Sequence, residues 1–373
     1  MKILLIQLIG KGGTQLYISQ LAKSLSRPEN EVVVFLGGYL YEEFHYAESN
    51  VRVVPIDISP SYLRMSLKMI NPVFYYQIIK RIQNEKPDII HAVFEDSMLG
   101  ILLYLIKNKY PIVFTEHDPK FHYGERLLVK LNQGIASTLL RRSSKSIIVH
   151  GENLKKILIA EGILEEKIWV IPHGEYSFYE KWSTKTKEED KTILFFGQIE
   201  DYKGLDYLIK AVTIVKQIVP ELKVIIAGFG DFLKYSKIID ENNLNKFFEI
   251  HNRYIPDEEV ANFFQRSSIV ILPYVDASQS GIIPIAFSFK KSVIATNVGS
   301  IPEVLDDGIN GILLPPRDSN ALATAIITLL NNAQLRNEMG ENGYNKMKTV
   351  YNWDAIAQKT LDGYSTLIKK VAQ

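Results

Sequence analysis

Short, continuous apolar runs recur along the chain at KILLIQL, EVVVFL, VRVVPI, PDIIHAV, PIVFTE, SIIVH and IWVIP, separated by segments with helical spacing of their apolar residues. Runs of this kind predict strands, and the intervening period predicts helices. Because the runs are continuous rather than alternating, both faces of the sheet should be covered, as in a doubly wound parallel α/β domain. After Pro172 the stretch HGEYSFYEKWSTKTKEEDK is polar and lacks a core period, and the rhythm then restarts with TILFFG, LKVIIAG, FFEIH, SIVILP and SVIAT. The pattern predicts an α/β chain of two doubly wound parallel-sheet domains, residues 1–175 and 191–352, joined by a linker at 176–190. Residues 353–373 carry apolar positions at helical spacing and either cap the second domain or cross back to the first.

Composition narrows this picture. A chain of 373 residues suits two domains of roughly 150 to 200 residues each. With 46% hydrophobic and 23% charged residues, both halves should fold. A net charge of +1 supplies no field for nucleic acid, which is therefore not an expected partner. The absence of cysteine excludes disulfides, thiolate catalysis and cysteine-ligated metal, and fits a reducing cytosol. Met1 leads directly into Ile3–Ile6 without a secretory pattern. The longest apolar stretch, Leu99–Ile106, is far shorter than the roughly 20 residues that span a bilayer. The expected location is cytoplasmic, with any membrane contact peripheral, at the inner face of the cytoplasmic membrane.

Two glycine turns carry candidate chemistry. Gly10-Lys11-Gly12-Gly13-Thr14 follows the first strand and opens the helical pattern LYISQLAKSL. Such a turn either cradles a phosphate with backbone N–H groups or simply requires a positive φ. It is neither a P-loop nor a dinucleotide fingerprint, and no acidic residue closes the second strand, which runs into Gly37-Gly38. In the second half, FFGQIEDYKGLDYLIKAV places Lys203 at a helix entrance, where its ammonium could meet a diphosphate or lie solvated on the surface. In ASQSGIIPIAF, Ser278, Ser280 and Gly281 precede another helix, whose N–H groups at Gly281 and Ile282 could bind the same diphosphate.

The ordered segments GKGGT, TEHD, IIVHGENLKKIL, VIPHGE, FFGQIEDYKGLDYLIKA, AGFGD, SSIVILPY, SQSG and VGSIPEVLDDGINGILLPP resemble bacterial retaining glycosyltransferases of family 4 over nearly the whole chain. The resemblance implies a GT-B fold, with two Rossmann-like domains facing a central cleft. It implies a nucleotide-diphosphate sugar donor on the second domain and a glycan or lipid-linked acceptor on the first. Transfer of a hexose would proceed with retention, by a front-face route and without a metal or other cofactor. Carried over by position, Gly12 and Gly13 lie near the phosphate, Lys203 neutralises it, and Ser280, Gly281 and Ile282 complete the cradle. His117, after the strand PIVFT, matches a histidine that contacts the donor sugar near the reacting carbon. Tyr254 and Ile255, within Arg253–Pro256, match the place where the base is read through backbone groups. His91 would line the acceptor pocket or sit in the core, and Glu303 is given no catalytic role.

The sequence departs from the family at Gln198, where arginine is usual, and at Ser278 and Ala286, where the resemblance leads us to expect paired glutamates. The second of these normally grips the nucleotide ribose. Two rival readings therefore stand beside transfer: a catalytically silent sugar-nucleotide binder or assembly partner, and a sugar-nucleotide epimerase of similar fold. On the acceptor side, residues 61–83 mix aromatic and apolar residues with Arg64, Lys68, Lys80 and Arg81. Such a segment can rest on anionic lipid or bury one face of an ordinary helix, and Pro72 interrupts any single long helix.

Overall fold

The computed structural model describes residues 1–9, 13–38, 46, 49–58, 67–120 and 127–372, the side chains of 127–129, 131 and 372 excepted. The described residues form two compact units. The first holds those up to His173 together with those from Trp353 onward, and the second is Gly174–Asn352.

In the first unit, β1 (Lys2–Gln7), β2 (Glu31–Gly37), β3 (Arg52–Ile56), β4 (Ile89–Ala92), β5 (Ile112–Thr115), β6 (Ser146–Val149) and β7 (Ile168–Val170) form a parallel sheet of order β3-β2-β1-β4-β5-β6-β7. The continuous apolar runs have the expected cause. On β1, Leu4 and Ile6 pack into one core while Ile3 and Leu5 pack into another, so both faces are enclosed. Helix Trp353–Ala372 belongs to this unit: Trp353, Ile356, Ala357, Leu361, Tyr364 and Leu367 join Ile18, Leu21 and Leu25 of helix Gly13–Leu25 in the second core. Asn71 caps helix Pro72–Glu85 by accepting the Val73 N–H at 2.9 Å, with Pro72 in the first turn where its missing N–H costs nothing.

The second unit repeats the plan. Here β8 (Thr192–Phe196), β9 (Lys223–Ala227), β10 (Phe248–His251), β11 (Ile269–Leu272), β12 (Ser292–Thr296) and β13 (Gly311–Leu314) form a parallel sheet of order β10-β9-β8-β11-β12-β13. Residues 176–190 are part of this unit rather than a free tether. Ser177–Trp182 form a short 3-10 helix, and Glu188 and Glu189 are paired with Lys291 at 2.6 Å and Lys223 at 2.7 Å. Two of the charges that made the stretch read as a linker are spent in these pairs. Among the described residues no helix is long and apolar enough to cross a membrane.

Candidate functional site

In a doubly wound sheet, the loops leaving neighbouring strands at the point where strand order reverses diverge and leave a crevice at the carboxyl ends. In the second unit that point lies between β8 and β11. The loop after β8 carries Gly197, Gln198 and Lys203, and the loop after β11 carries Ser278 to Ile282. Sequence order thus brings together residues some eighty positions apart, through topology alone.

Lys203 is aimed by its neighbour. Gly204 has φ +66°, and a Cβ there would sit 2.0 Å from the Pro273 carbonyl oxygen, so only glycine lets the turn lie against the end of β11. The Val275 N–H donates to the Tyr202 carbonyl at 2.7 Å, fixing the same turn. Lys203 Nζ then donates to Tyr274 Oη at 3.4 Å and lies 5.0 Å from the centre of that ring. A Cβ on Gly197 would be 3.4 Å from Lys203 Nζ and 3.6 Å from Ile282 Cδ1, which brings the lysine and the first residue of helix Ile282–Ser288 around one glycine. On the other side, the same construction at Gly281 lies 3.4 Å from Tyr176 Oη.

The remaining expected positions are less uniform. Ser280 Oγ accepts the Ile282 N–H at 3.3 Å, so that donor is already engaged locally. Gln198 is exposed and donates to Glu200 at 2.8 Å. Ser278 is buried and its carbonyl accepts the Ser300 N–H at 2.9 Å. Ala286 has no exposed surface, so this position forms part of the interior and offers nothing to a ribose. Tyr254 is exposed and Ile255 buried on the loop after β10, at the edge of the sheet; Arg253 donates to the Tyr254 carbonyl at 3.2 Å. Gly12 lies outside the described residues, and Gly13 is exposed at the start of helix Gly13–Leu25.

In the first unit the carboxyl ends of four adjacent strands bear histidines. His91 lies on β4, His117 follows β5, His150 follows β6 and His173 follows β7. His91 is fully buried, with its ring nitrogens 2.6 Å from Tyr364 Oη and 2.7 Å from Thr115 Oγ1. It is a core residue tying helix Trp353–Ala372 to the sheet, not an acceptor-pocket residue. Burial, with the nearby His117, pushes its pKa down to about 3.

His117 is also buried, and both ring nitrogens are engaged: Nε2 lies 3.0 Å from the Val93 carbonyl and Nδ1 lies 3.1 Å from His150 Nε2. As placed, it has no ring nitrogen free for the sugar contact the resemblance implied. Tyr17 holds the group together, with its ring centre 5.0 Å from that of His117, 5.3 Å from His150, 4.9 Å from His173 and 5.6 Å from Trp353. The backbone N–H of His117 donates to Glu95 Oε1 at 2.5 Å. Enclosure, reinforced by the charges of Asp118 and Glu116, lifts the Glu95 carboxyl to about 8. Glu95, His150 and Tyr17 drew no attention in the sequence, although PDIIH, PIVFTEH, SIIVH and VIPH each close a strand with histidine. That repetition was the available signal.

With this geometry in place, similarity to known proteins becomes informative. Residues 11–174 match the family described as Glycosyltransferase Family 4, and residues 178–346 match Glycosyl transferases group 1. An uncharacterized glycosyltransferase of Methanocaldococcus jannaschii is 30% identical over 378 residues, covering 95% of each chain. The phosphatidyl-myo-inositol mannosyltransferase of Mycolicibacterium smegmatis is 24% identical, over 95% of this chain and 90% of its own. The structure of Anabaena HepE in complex with UDP-glucose superposes with a TM-score of 0.78 at 20% identity, covering 98% of this chain and 100% of that one. Two parallel α/β units with this likeness have the GT-B fold, and the family matches make the chain a glycosyltransferase. The chain belongs to glycosyltransferase family 4.

Proposed function

We propose that the protein transfers a hexose, with retention of configuration and without a metal, from a nucleoside-diphosphate sugar to a hydroxyl of a glycan or lipid-linked acceptor. The observation that carries this reading is the approach of Lys203 and Ile282 to one glycine, Gly197, at the reversal of strand order in the second unit. A lysine ammonium beside a helix start suits a diphosphate leaving group, because charge developing there meets donors already in place. In a front-face reaction the leaving phosphate itself helps to take the acceptor proton, and the protein supplies position and charge. The complex of HepE with UDP-glucose supports placing UDP-glucose first among donors to test, and the inositol-lipid acceptor named for the mycobacterial relative supports a lipid-linked acceptor class.

The first unit adds support for a lipid-facing acceptor. Leu67, Ile70, Val73 and Tyr76 are all exposed, at 59%, 78%, 55% and 56%, and Lys80 Nζ lies 4.8 Å from the Tyr76 ring centre. An apolar row bordered by cations suits an anionic lipid surface. The expected part of this segment at 61–66 lies outside the described residues. Any contact of this kind would be peripheral, at the inner face of the cytoplasmic membrane.

The test is turnover of a panel headed by UDP-glucose on lipid-linked and glycan acceptors, with and without EDTA, with the product's anomeric configuration read by NMR. Retained configuration and EDTA-insensitive rates are expected. Nucleotide binding without transfer to any acceptor would instead identify a silent binder, and an inverted product would overturn the front-face route.

A further inference from the structure

We propose that His117 and His150 titrate as one proton-sharing unit, and that His150 is a positioning residue that sets the charge of His117. The argument comes from counting protons against partners. A carbonyl oxygen only accepts, so His117 Nε2, 3.0 Å from Val93 O, carries a proton. For the same reason His150 Nδ1, 2.9 Å from Ile171 O, carries one. The two remaining nitrogens, His117 Nδ1 and His150 Nε2, face each other at 3.1 Å. A hydrogen bond at that distance needs a third proton between them. With it, four nitrogens hold three protons and the pair bears one positive charge shared across two rings. Without it, two lone pairs oppose each other at hydrogen-bonding distance, which is repulsive.

Burial works against the charged form: it lowers His117, and it lowers His150, where the neighbouring His117 and His173 add to the effect. The geometry and the enclosure therefore pull in opposite directions, the arrangement expected of a group whose proton follows a nearby anion. Among the described residues, the titratable groups around it are Tyr17 on helix Gly13–Leu25, His173 after β7, His91 on β4, and the carboxyls of Glu95 and Asp118 at the His117 backbone. Both ring nitrogens of His117 being occupied, what it offers a ligand is charge rather than a hydrogen bond. That role rests on the proposed transfer reaction; the proton sharing itself does not.

The deciding experiment follows histidine 15N resonances of the intact protein between about pH 5 and pH 9, assigned with His117→Gln and His150→Gln variants. His117 Nδ1 and His150 Nε2 are expected to move together through a single midpoint, while His117 Nε2 and His150 Nδ1 stay protonated throughout. Separate midpoints, or a pair that stays neutral with fixed tautomers across the range, would overturn the proposal. Because this readout needs no substrate, it decides the pair even if the transfer reaction is wrongly assigned. With turnover in hand, His150→Gln should keep its affinity for UDP, lose the pH dependence of kcat that tracks the shared midpoint, and fall about tenfold in kcat, equivalent to one pKa unit of lost interaction. An unchanged pH profile in that variant would remove the positioning role. Should His150→Gln fail to fold, the wild-type titration still stands as the test.

Discussion

The two units place chemistry at the same topological address, the carboxyl ends of parallel strands, but fill it with different materials. In the second unit the edge is built on glycines and backbone, with one lysine held by a turn that tolerates no side chain at Gly204. In the first it is a row of enclosed histidines whose nitrogens are satisfied by carbonyls, hydroxyls and each other. One edge brings a lysine beside a helix start; the other encloses titratable rings in a low-dielectric interior, where protonation is sensitive to its surroundings. Fold alone therefore does not dictate how a strand edge is used, and substitutions should separate the two.

The largest effect is expected at Gly204. Alanine there must move the Pro273 backbone and adopt a positive φ, so Gly204→Ala should cost about 3 kcal/mol or more and displace Lys203 as well. Denaturant unfolding would show the lowered midpoint, and a variant as stable as wild type would mean the turn is not locked. Lys203→Ala leaves the turn intact and should lower turnover about a hundred- to a thousandfold, the usual cost of removing one preorganised stabiliser, with little change in unfolding.

The first unit should reveal itself through pH. Glu95 is raised to about 8, so between the ordinary carboxylate range and pH 8 the folded state holds a proton that the unfolded chain has released, and stability should decline across that whole window as pH rises. His91 is lowered to about 3, so below about pH 6.5 the unfolded chain binds a proton that the folded state refuses, which offsets part of the Glu95 slope on acidification. Asp96, raised to about 7 by burial, adds to the decline up to that pH. The result is a stability that falls between about pH 6.5 and pH 8, by about 1 kcal/mol per pH unit or more. Glu95→Gln should flatten the decline between pH 7 and pH 8; a slope unchanged in that variant would place the titration elsewhere. The smallest effect is expected at Asn71→Ala, which removes a helix cap remote from both strand edges and should cost about 1 kcal/mol without altering turnover.

Much of this architecture was legible in the sequence because continuous apolar strands can only be explained by a sheet covered on both faces, and Ile3 to Ile6 divide between two cores as that reasoning demands. The helix starts after Lys203-Gly204 and after Gly281 were legible too, because strand, glycine turn and helix start are local patterns. The engagement of His117 was not, since its partners Val93 and Glu95 follow β4 and His150 follows β6, and only the order β4-β5-β6 makes them neighbours. Residues 176–190 misled for a related reason: a run of charges looks like solvent-exposed chain until distant Lys223, Arg266 and Lys291 are seen to pair with it.

The measurement that bears most directly on the central claim is thermal unfolding of wild type and Lys203→Ala with UDP, GDP, ADP and TDP. A ligand at a hundred times its dissociation constant adds about 2.7 kcal/mol to the stability of the form that binds it. The account predicts a shift selective for one nucleoside diphosphate, unaffected by EDTA and lost in Lys203→Ala. An equal shift in the variant, or none with any nucleotide, would contradict a diphosphate site at the edge formed by Gly197, Lys203 and Ile282.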